Sequence, residues 1–265
     1  RRVLFRSFER GASMIVTCDN GIAAFDAISR AKALGMEVIV TDHHDIPFEE
    51  NDDGTIRTLR VEADAIVNPK QPDCSYPFKK LCGAGVAFKL LCLLYDRAGL
   101  PAAEKYALLE YVAIATVADV MDLTDENRII VKLGLNMARR TKNVGLKALI
   151  DANKLNPDRL SAYHIGFVIG PCFNAAGRLD TVKIALDLLS ETDETKAAIM
   201  AQELKELNES RKSLTVAGFE QAVEKIEGSS LKDDKVLLVL LDDCHESLVG
   251  IIAGRIKEKY HKPTF

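Results

Sequence analysis

The stretch EVIVTDHHDIP, residues 37–47, decides the fold and raises the question of function. It begins with a run of β-branched apolar residues, which is typical of a buried strand. The run stops at Asp42, and two histidines follow directly. Because adjacent residues on a strand point to opposite faces, we expect His43 and His44 to have different roles, one as a ligand and the other as a substrate contact.

Two other short apolar runs place this strand in a sheet. SMIVTC (13–18) precedes it and ADAIVNP (63–69) follows it, while residues 22–34 carry apolar side chains at helical spacing and end at Gly35. A strand, a helix and a strand in this order form a βαβ unit, which requires a parallel sheet with helices on its faces. The pattern therefore predicts an α/β fold, in which the polar segment 47–62 is an exposed loop or hairpin.

The chain becomes helical after residue 80. Residues 192–227 have the pattern of one long helix or two close ones, with one highly charged face, and KVLLVLL (235–241) predicts a new strand before a final helix. We therefore expect three parts: a first domain at 1–191 with a parallel sheet and helical elaboration, a connecting helix at 192–228, and a smaller, truncated α/β domain at 229–265.

Composition excludes several classes of protein. The 265 residues carry a net charge of −4, so any nucleic-acid binding needs a local basic surface. No apolar run is long enough to cross a membrane, and the N-terminus lacks the apolar core of a signal peptide. Six cysteines without Cys-x-x-Cys spacing predict reduced thiols in a cytoplasmic protein; they are Cys18, Cys74, Cys82, Cys92, Cys172 and Cys244.

Acids and imidazoles follow the predicted strands at one edge of the sheet. Asp19 ends the first run, His43 and His44 follow the second, and Asp119 ends an apolar helical run. Ligands bind at this edge of open α/β sheets, and a helix starting after Gly21 would favour an anion there. Carboxylates with imidazoles suit Mn²⁺, Mg²⁺ or Zn²⁺. The alternatives are a helix cap at Asp19, packing or surface histidines, and a helix-end acid at Asp119.

The ordered motifs resemble a known superfamily. VTCDNGI, VTDHH and ATVADVMDL are similar, in this order and spacing, to the second, third and fourth motifs of the DHH phosphoesterases. Two later segments, GPCFNAAGRLD (170–180) and CHESLVGIIAGRIKEKYHKPTF (244–265), resemble segments of the RecJ family. This family belongs to the same superfamily, and its members are 5′→3′ exonucleases specific for single-stranded DNA. The resemblance extends over nearly the whole chain.

This resemblance implies metal-dependent phosphodiester hydrolysis in DNA repair and recombination. According to this resemblance, Asp19 would bridge two Mn²⁺ or Mg²⁺ ions, and His43 and Asp119 would be ligands of one of them. His44 would face the scissile phosphate. Asp42 orients its neighbours. Two such ions would generate a hydroxide nucleophile and clamp the attacking and leaving oxygens of an in-line displacement.

The resemblance also implies substrate contacts outside the acidic and imidazole cluster. Asn174 and Arg178 are expected at a phosphate or at the rim of the site. The last part of the chain resembles a DHHA1 domain, whose counterparts of His245, Gly250 and Arg255 face the nucleic acid. The alternatives are an unusual loop between helices for the first pair and an ordinary turn histidine for His245.

Two features depart from the family. Its first motif, Asp-x-Asp-Gly, has no counterpart, because NDDG (51–54) lies in a polar loop at the wrong spacing. We therefore expect this chain to be a fragment that starts after that motif, stops inside the second lobe, and is weakly active or inactive in isolation. Cys172 stands where many members of the family have a basic residue.

A basic segment favours a polyanionic partner. Between Arg128 and Ile150 there are six basic residues and no acidic one, at positions 128, 132, 139, 140, 142 and 147. A solvated helix face is the simpler explanation, and contact with single-stranded DNA is the functional one. A single-strand-binding protein or a helicase is the kind of protein partner that this activity implies.

Two other functions remain open at this point. The first is hydrolysis of short oligonucleotides, cyclic dinucleotides or bisphosphorylated nucleotides, although relatives of that kind carry a Gly-Gly-Gly-His-type segment where this chain has CHESLVGIIAG. The second is a nucleic-acid-binding or docking protein without catalysis. The retained cluster of charged residues argues against the second, because clustered charges are costly without a purpose.

Overall fold

The computed structural model describes residues 7–179, 183–242 and 244–265, without the side chains of residues 178 and 179. It divides into two units, of which the first is Arg1–Arg140 with Leu160–Gly166 and the second is Thr141–Arg159 with Phe167–Phe265. This division differs from the predicted domains at 1–191, 192–228 and 229–265, whose boundaries stay a prediction.

The first unit is built on a parallel sheet with the strand order β1-β2-β5. Its strands are β1 (Met14–Val16), β2 (Glu37–Thr41) and β5 (Ala65–Val67), paired in parallel, and helix α1 (Phe25–Ala33) connects the first two. The helix ends before Gly35, whose φ of +77° suits the residue that terminates a helix. The predicted βαβ unit is therefore confirmed.

Apolar residues of this unit fill one face of the sheet. Ile28 and Ala31 of α1 pack with Val38 and Val40 of β2 in a buried cluster that also contains Met36. The spacing of three residues in the helix and of two in the strand turns each pair toward the same core. This packing fixes the register that brings the ends of β1 and β2 together.

The polar segment after β2 forms a separate hairpin. Strands β3 (Phe48–Glu50) and β4 (Ile56–Thr58) pair antiparallel and are exposed. The expected loop or hairpin is therefore a hairpin, and NDDG (51–54) lies at its turn.

Four helices complete the sheet domain of the first unit, followed by a short helical turn α7. The buried residues of α2, α4 and α5 pack into one cluster with Leu81. The bounds are α2 Gly83–Arg97, α3 Ala102–Ala107, α4 Leu109–Ala118, α5 Asp125–Ala138 and α7 Ala162–His164.

The second unit is mostly helical. Its long helix α10 spans Glu194–Glu227 and begins after Asp193, whose carboxylate accepts a hydrogen bond from the Lys196 N–H at 2.9 Å. A single helix is therefore present where one or two were predicted. The other bounds are α6 Val144–Ala152, a 3₁₀ turn at Pro157–Arg159, α8 Gly170–Leu179, α9 Lys183–Ser190, a 3₁₀ turn at Ser230–Asp233 and α11 Glu246–Tyr260. A π-helical stretch, Ile165–Ile169, precedes α8.

The end of the chain forms a small α/β arrangement. Leu237 pairs with Thr264 in a parallel bridge, and the Phe265 N–H donates to the Leu237 carbonyl at 2.8 Å. Leu237 also joins a buried cluster with Ile252 of α11 and Ile226 of α10. The predicted strand at 235–241 is thus reduced to a bridge, whose partner is Thr264.

Two further expectations can be compared with the structure. All six cysteines are free thiols, as predicted. Within the part of the chain that the structure describes, no helix combines the length and the apolar character that a membrane span requires.

Gly134 allows α5 to pack closely on α4. A Cβ at this position would lie 2.3 Å from the carbonyl oxygen of Leu109 and 2.4 Å from the Cβ of Ala113. We expect Gly134→Ala to lower the free energy of unfolding by about 1–3 kcal/mol, because overpacking forces backbone shifts. Urea unfolding checks this. The control is Gly254→Ala in α11, where the added Cβ meets no atom within 4 Å; equal stability of the two variants would contradict the assignment.

Candidate metal centre

Asp19 enters the site from the turn that follows β1. Its N–H donates to the Thr41 carbonyl at 3.1 Å, which ties this turn to the end of β2. Its φ is +64°, a left-handed conformation that residues other than glycine adopt infrequently. Helix α1 begins at Phe25 with Ala24 as its N-cap, so Asp19 is not the helix cap and the helix does not start after Gly21 as expected.

His43 lies in the middle of the cluster, just beyond the end of β2. Its Nε2 atom is 3.0 Å from the Asp19 Oδ1 and 3.4 Å from the Asp119 Oδ2, and its side chain is only 9% exposed. Its Nδ1 is buried and has no hydrogen-bond partner among the described residues. The imidazole therefore presents one nitrogen to two carboxylates.

Asp119 arrives from the end of α4, where it is the C-cap. The next residue, Val120, has a φ of +56° and is 88% exposed. This conformation is unfavourable for a β-branched side chain. Backbone strain of this kind is concentrated at functional sites, and here it occurs at the turn that delivers Asp119.

Asp42 fixes the backbone of both histidines and the ring of His44. Its Oδ1 accepts hydrogen bonds from the His43 N–H at 2.8 Å, the His44 N–H at 3.2 Å and the His44 Nδ1 at 2.7 Å, and its Oδ2 accepts from the Ile22 N–H at 2.9 Å. The side chain is 1% exposed. Although burial opposes ionisation, these hydrogen bonds lower the pKa of Asp42.

His44 has surroundings that differ from those of His43. Its side chain is 60% exposed, and the two ring centroids are 4.6 Å apart. The hydrogen bond that the His44 ring donates to Asp42 raises the pKa of His44, with a smaller opposing effect of burial. Asp42 therefore stabilises the protonated ring, and Nδ1 is the nitrogen whose hydrogen points to Asp42.

The electrostatics of the cluster favour a cation. Burial raises the pKa of Asp19, and the neighbouring Asp119 carboxylate raises it further, while His43 opposes both effects. Two carboxylates that repel each other across one imidazole are stabilised by a positive ion between them.

The donor set fits a divalent metal. The ligand atoms of Asp19, His43 and His44 lie within 4.8 Å of one another, and the Asp119 carboxylate approaches the same imidazole nitrogen. Carboxylate oxygens and an imidazole suit Mn²⁺ and Mg²⁺, with the imidazole favouring Mn²⁺. The predicted metal ligands Asp19, His43 and Asp119 are therefore brought together by the fold.

The other predicted site residues lie in the second unit. Asn174 is exposed on α8, and Arg178 follows one turn later, where its side chain lies outside the described residues. His245 is the N-cap of α11, and its Nδ1 accepts from the Ser247 N–H at 3.3 Å. Gly250 has open space around it and Arg255 is exposed. Their contacts with substrate stay a prediction.

Cys172 has a structural environment. It is fully buried in α8 and contacts the amide groups of Asn153 and Asn208 at 3.7–3.9 Å. Burial raises the pKa of its thiol. Cys172 therefore has a packing role inside the protein.

Asn68 was missed by sequence reasoning. It follows β5, is 2% exposed, and its Nδ2 donates to the His44 carbonyl at 2.9 Å. Its Oδ1 accepts from the Lys70 N–H at 2.8 Å. Asn68 thus fixes the backbone of His44 from the third strand. The Asn-Pro pair at 68–69 was visible in the sequence, but only as a turn signal.

The first part of the chain matches a known family model. Residues 2–116 match the family model described as DHH family, N-terminal domain. This range contains the strands, Asp19, Asp42 and both histidines, and it ends just before Asp119.

The chain is also similar to RecJ exonucleases. It is 39% identical over 268 residues to the single-stranded-DNA-specific exonuclease RecJ of Salmonella typhimurium and 40% identical over 261 residues to that of Bacillus subtilis. These matches cover 96% and 98% of this chain but 45% and 31% of the two relatives. The chain thus spans less than half of their length.

Solved RecJ structures have the same fold. A crystal structure of exonuclease RecJ bound to manganese matches with a TM-score of 0.83 at 31% identity, covering 100% of this chain and 63% of that one. RecJ from Thermus thermophilus in complex with Mn²⁺ matches with a TM-score of 0.81 at 32% identity, covering 99% and 37%. The predicted α/β fold class is therefore confirmed.

The Asp42–His44 pair gives a prediction for the metal-free chain. We expect Asp42→Asn to lower the pKa of His44 toward its ordinary value, because an amide does not stabilise the imidazolium as a carboxylate does. NMR titration of the His44 ring measures this. The variant should also lose about 1–3 kcal/mol of stability, because an amide leaves one of the backbone N–H donors unpaired.

Asp45→Asn is the matched control. Asp45 is exposed and pairs with Lys70 at 2.8 Å rather than with His44. An equal fall of the His44 pKa in both variants would refute a specific Asp42–His44 interaction.

Proposed function

We propose that the chain is the core of a metal-dependent exonuclease that hydrolyses single-stranded DNA from the 5′ end in repair and recombination. The observation that carries this proposal is the His43 Nε2 held between the carboxylates of Asp19 and Asp119 at the carboxyl edge of a parallel sheet. The substrate class is supported by the relatives, which are named single-stranded-DNA-specific exonucleases.

Asp19, His43 and Asp119 would hold one divalent cation, and a second ion, which the family implies, would share Asp19. Solved RecJ structures with Mn²⁺ and Mg²⁺ support the choice of these ions. When bound, such ions activate a water molecule and neutralise charge on the phosphate. The two acids and His43 would orient this centre, and because the His43 ring is buried, it would keep water from one ligand position.

His44 would bind the scissile phosphate. Asp42 fixes its ring through Nδ1, so the exposed Nε2 can donate a hydrogen bond to a phosphate oxygen. The raised pKa keeps the ring protonated over a wider pH range. A charged donor of this kind forms a stronger hydrogen bond to a phosphate than a neutral one does.

The basic segment divides into structural and exposed residues. The Arg139 guanidinium donates to the Leu160 carbonyl at 2.9 and 3.0 Å, so this residue supports the fold. Arg128 and Lys132 are exposed one turn apart on α5. We assign the DNA backbone contact of the first unit to these two residues.

The setting of the protein is part of the proposal. An enzyme that needs single-stranded DNA requires a process that exposes it, so a helicase or a single-strand-binding protein is the expected partner. The six free thiols fit a reducing compartment, the cytoplasm.

The metal assignment is tested by alanine substitutions at Asp19 and His43. We expect each to weaken Mn²⁺ binding about tenfold or more in titration calorimetry and to remove the slow, Mn²⁺-dependent trimming of a single-stranded oligonucleotide, with DNA binding largely retained. Asp52→Ala in the exposed hairpin is the matched control and should change neither. Labels at the 5′ or 3′ end, and a duplex substrate, report polarity and strand specificity.

Three results would contradict the proposal. Unchanged Mn²⁺ binding in both variants would remove the metal assignment. If a dinucleotide competes for the active site more strongly than a long oligonucleotide does, the chain is better explained as a small-nucleotide phosphodiesterase. DNA binding by a wild-type chain that takes up no Mn²⁺ would favour a binding protein.

Arg128 and Lys132 give a separate prediction. The double alanine variant should bind a single-stranded oligonucleotide more weakly, and the slope of log K against log salt should fall by about 1–2, because fewer counterions are released. Fluorescence anisotropy at several salt concentrations measures both. Lys32→Ala is the control, since Asp64 already neutralises Lys32 at 2.6 Å. An unchanged slope would exclude phosphate contacts at this face of α5.

A further inference from the structure

Gly83, the first residue of α2, lies directly against Asp19. A Cβ at Gly83 would be 2.3 Å from both the Cβ and the Oδ1 of Asp19, and 2.5 Å from its Cα. Non-bonded carbon atoms are normally separated by about 3.5–4.0 Å. Two of the three conflicting atoms are the Asp19 Cα and Cβ, so a rotation of the carboxylate would not relieve the overlap.

Asp19 is held in its unfavourable conformation from two sides. On one side its N–H donates to the Thr41 carbonyl at the end of β2. On the other, the first turn of α2 contacts its backbone, and the neighbouring Cys18 thiol lies 4.0 Å from the Gly83 carbonyl. A left-handed residue other than glycine persists only where its surroundings determine its conformation, and these two contacts do so.

The charge of Asp19 also fits this position. Helix α2 has 15 residues, and its first turn contains no acidic side chain of its own. The N–H groups at the start of a helix favour a nearby carboxylate. The close approach that Gly83 permits brings the Asp19 carboxylate to that end of the helix.

We propose that Gly83 is a positioning residue for the metal centre. By lacking a side chain, it seats the first turn of α2 against Asp19 and so places the carboxylate 3.0 Å from the His43 Nε2. The inference rests on the metal site proposed above. An alanine there must move Asp19 away from its place between β2 and α2, and displacements of about 1 Å are enough to impair such a site severely.

Substitutions at two other glycines serve to distinguish this positioning role from ordinary packing. Gly85, in the same first turns of α2, would place a Cβ 3.3 Å from the Cδ2 of Leu81, a much looser approach than the 2.3 Å at Gly83. Gly134 would collide with the backbone of α4, away from Asp19. The first is a matched control for helix propensity, and the second is a control for destabilisation without an effect on the metal.

The experiment is a titration of Mn²⁺ alone into the 265-residue chain and its variants, followed by electron paramagnetic resonance, with thermal unfolding of each metal-free protein. We expect Gly83→Ala to weaken Mn²⁺ binding about tenfold or more with an unfolding temperature close to that of Gly85→Ala. Gly85→Ala should bind Mn²⁺ as the wild type does. Gly134→Ala should unfold at a lower temperature, with its folded form binding Mn²⁺ normally.

A double variant tests whether Gly83 acts through Asp19. In an Asp19→Gly background the carboxylate and the Cβ are absent, and the left-handed φ carries no penalty. Adding Gly83→Ala should then change Mn²⁺ affinity by less than about twofold, since the two substitutions remove the same interaction. A further loss of about tenfold would show that Gly83 acts elsewhere.

Failure of the inference is distinguishable from failure of the proposed site. If Asp19→Ala and the wild type bind Mn²⁺ equally, the metal site itself is wrong. If Asp19→Ala loses the ion but Gly83→Ala binds it as the wild type does, only the role of Gly83 is refuted. Unfolding of metal-free Gly83→Ala under conditions where Gly85→Ala is folded would assign Gly83 to the fold and also refute the inference.

Discussion

The buried carboxylate of Asp42 is the interaction on which the rest of the site depends. It accepts hydrogen bonds from Ile22, which follows β1, and from His43 and His44, which follow β2. Burying a carboxylate is costly unless such donors surround it, and here they lower its pKa despite the burial. One side chain thereby joins two strand ends, fixes both histidine backbones and sets the ring orientation of His44.

Much of the fold follows from local patterns. The β-branched runs predicted the strands, and the order strand, helix, strand predicted their parallel pairing, which brings the ends of β1 and β2 to one edge. The alternation of strand residues also predicted that His43 and His44 would differ, and they do in burial, at 9% and 60% exposed. These features depend on periodicity and chirality, which neighbouring residues determine.

Other features depend on contacts between distant parts of the chain, and the sequence could not supply them. The left-handed turn at Asp19 requires Thr41 and the start of α2, far along the chain. Arg139 looked like part of a basic surface, but its guanidinium is used by the Leu160 carbonyl. Asn68 looked like a turn residue, although it anchors His44. In each case a local pattern admits two roles, and tertiary packing selects one.

Backbone strain and charge repulsion occur together at the metal cluster. Asp19 is itself left-handed, and Val120, directly after Asp119, is left-handed too. The Asp119 carboxylate also adds to the cost of ionising Asp19 beside His43. A protein that only binds nucleic acid gains nothing from holding like charges together in unfavourable backbone conformations. A divalent cation would offset both costs, because it neutralises the carboxylates and fixes the turns that carry them. The strained, acidic cluster therefore favours a metal-dependent enzyme over a nucleic-acid-binding protein without catalysis.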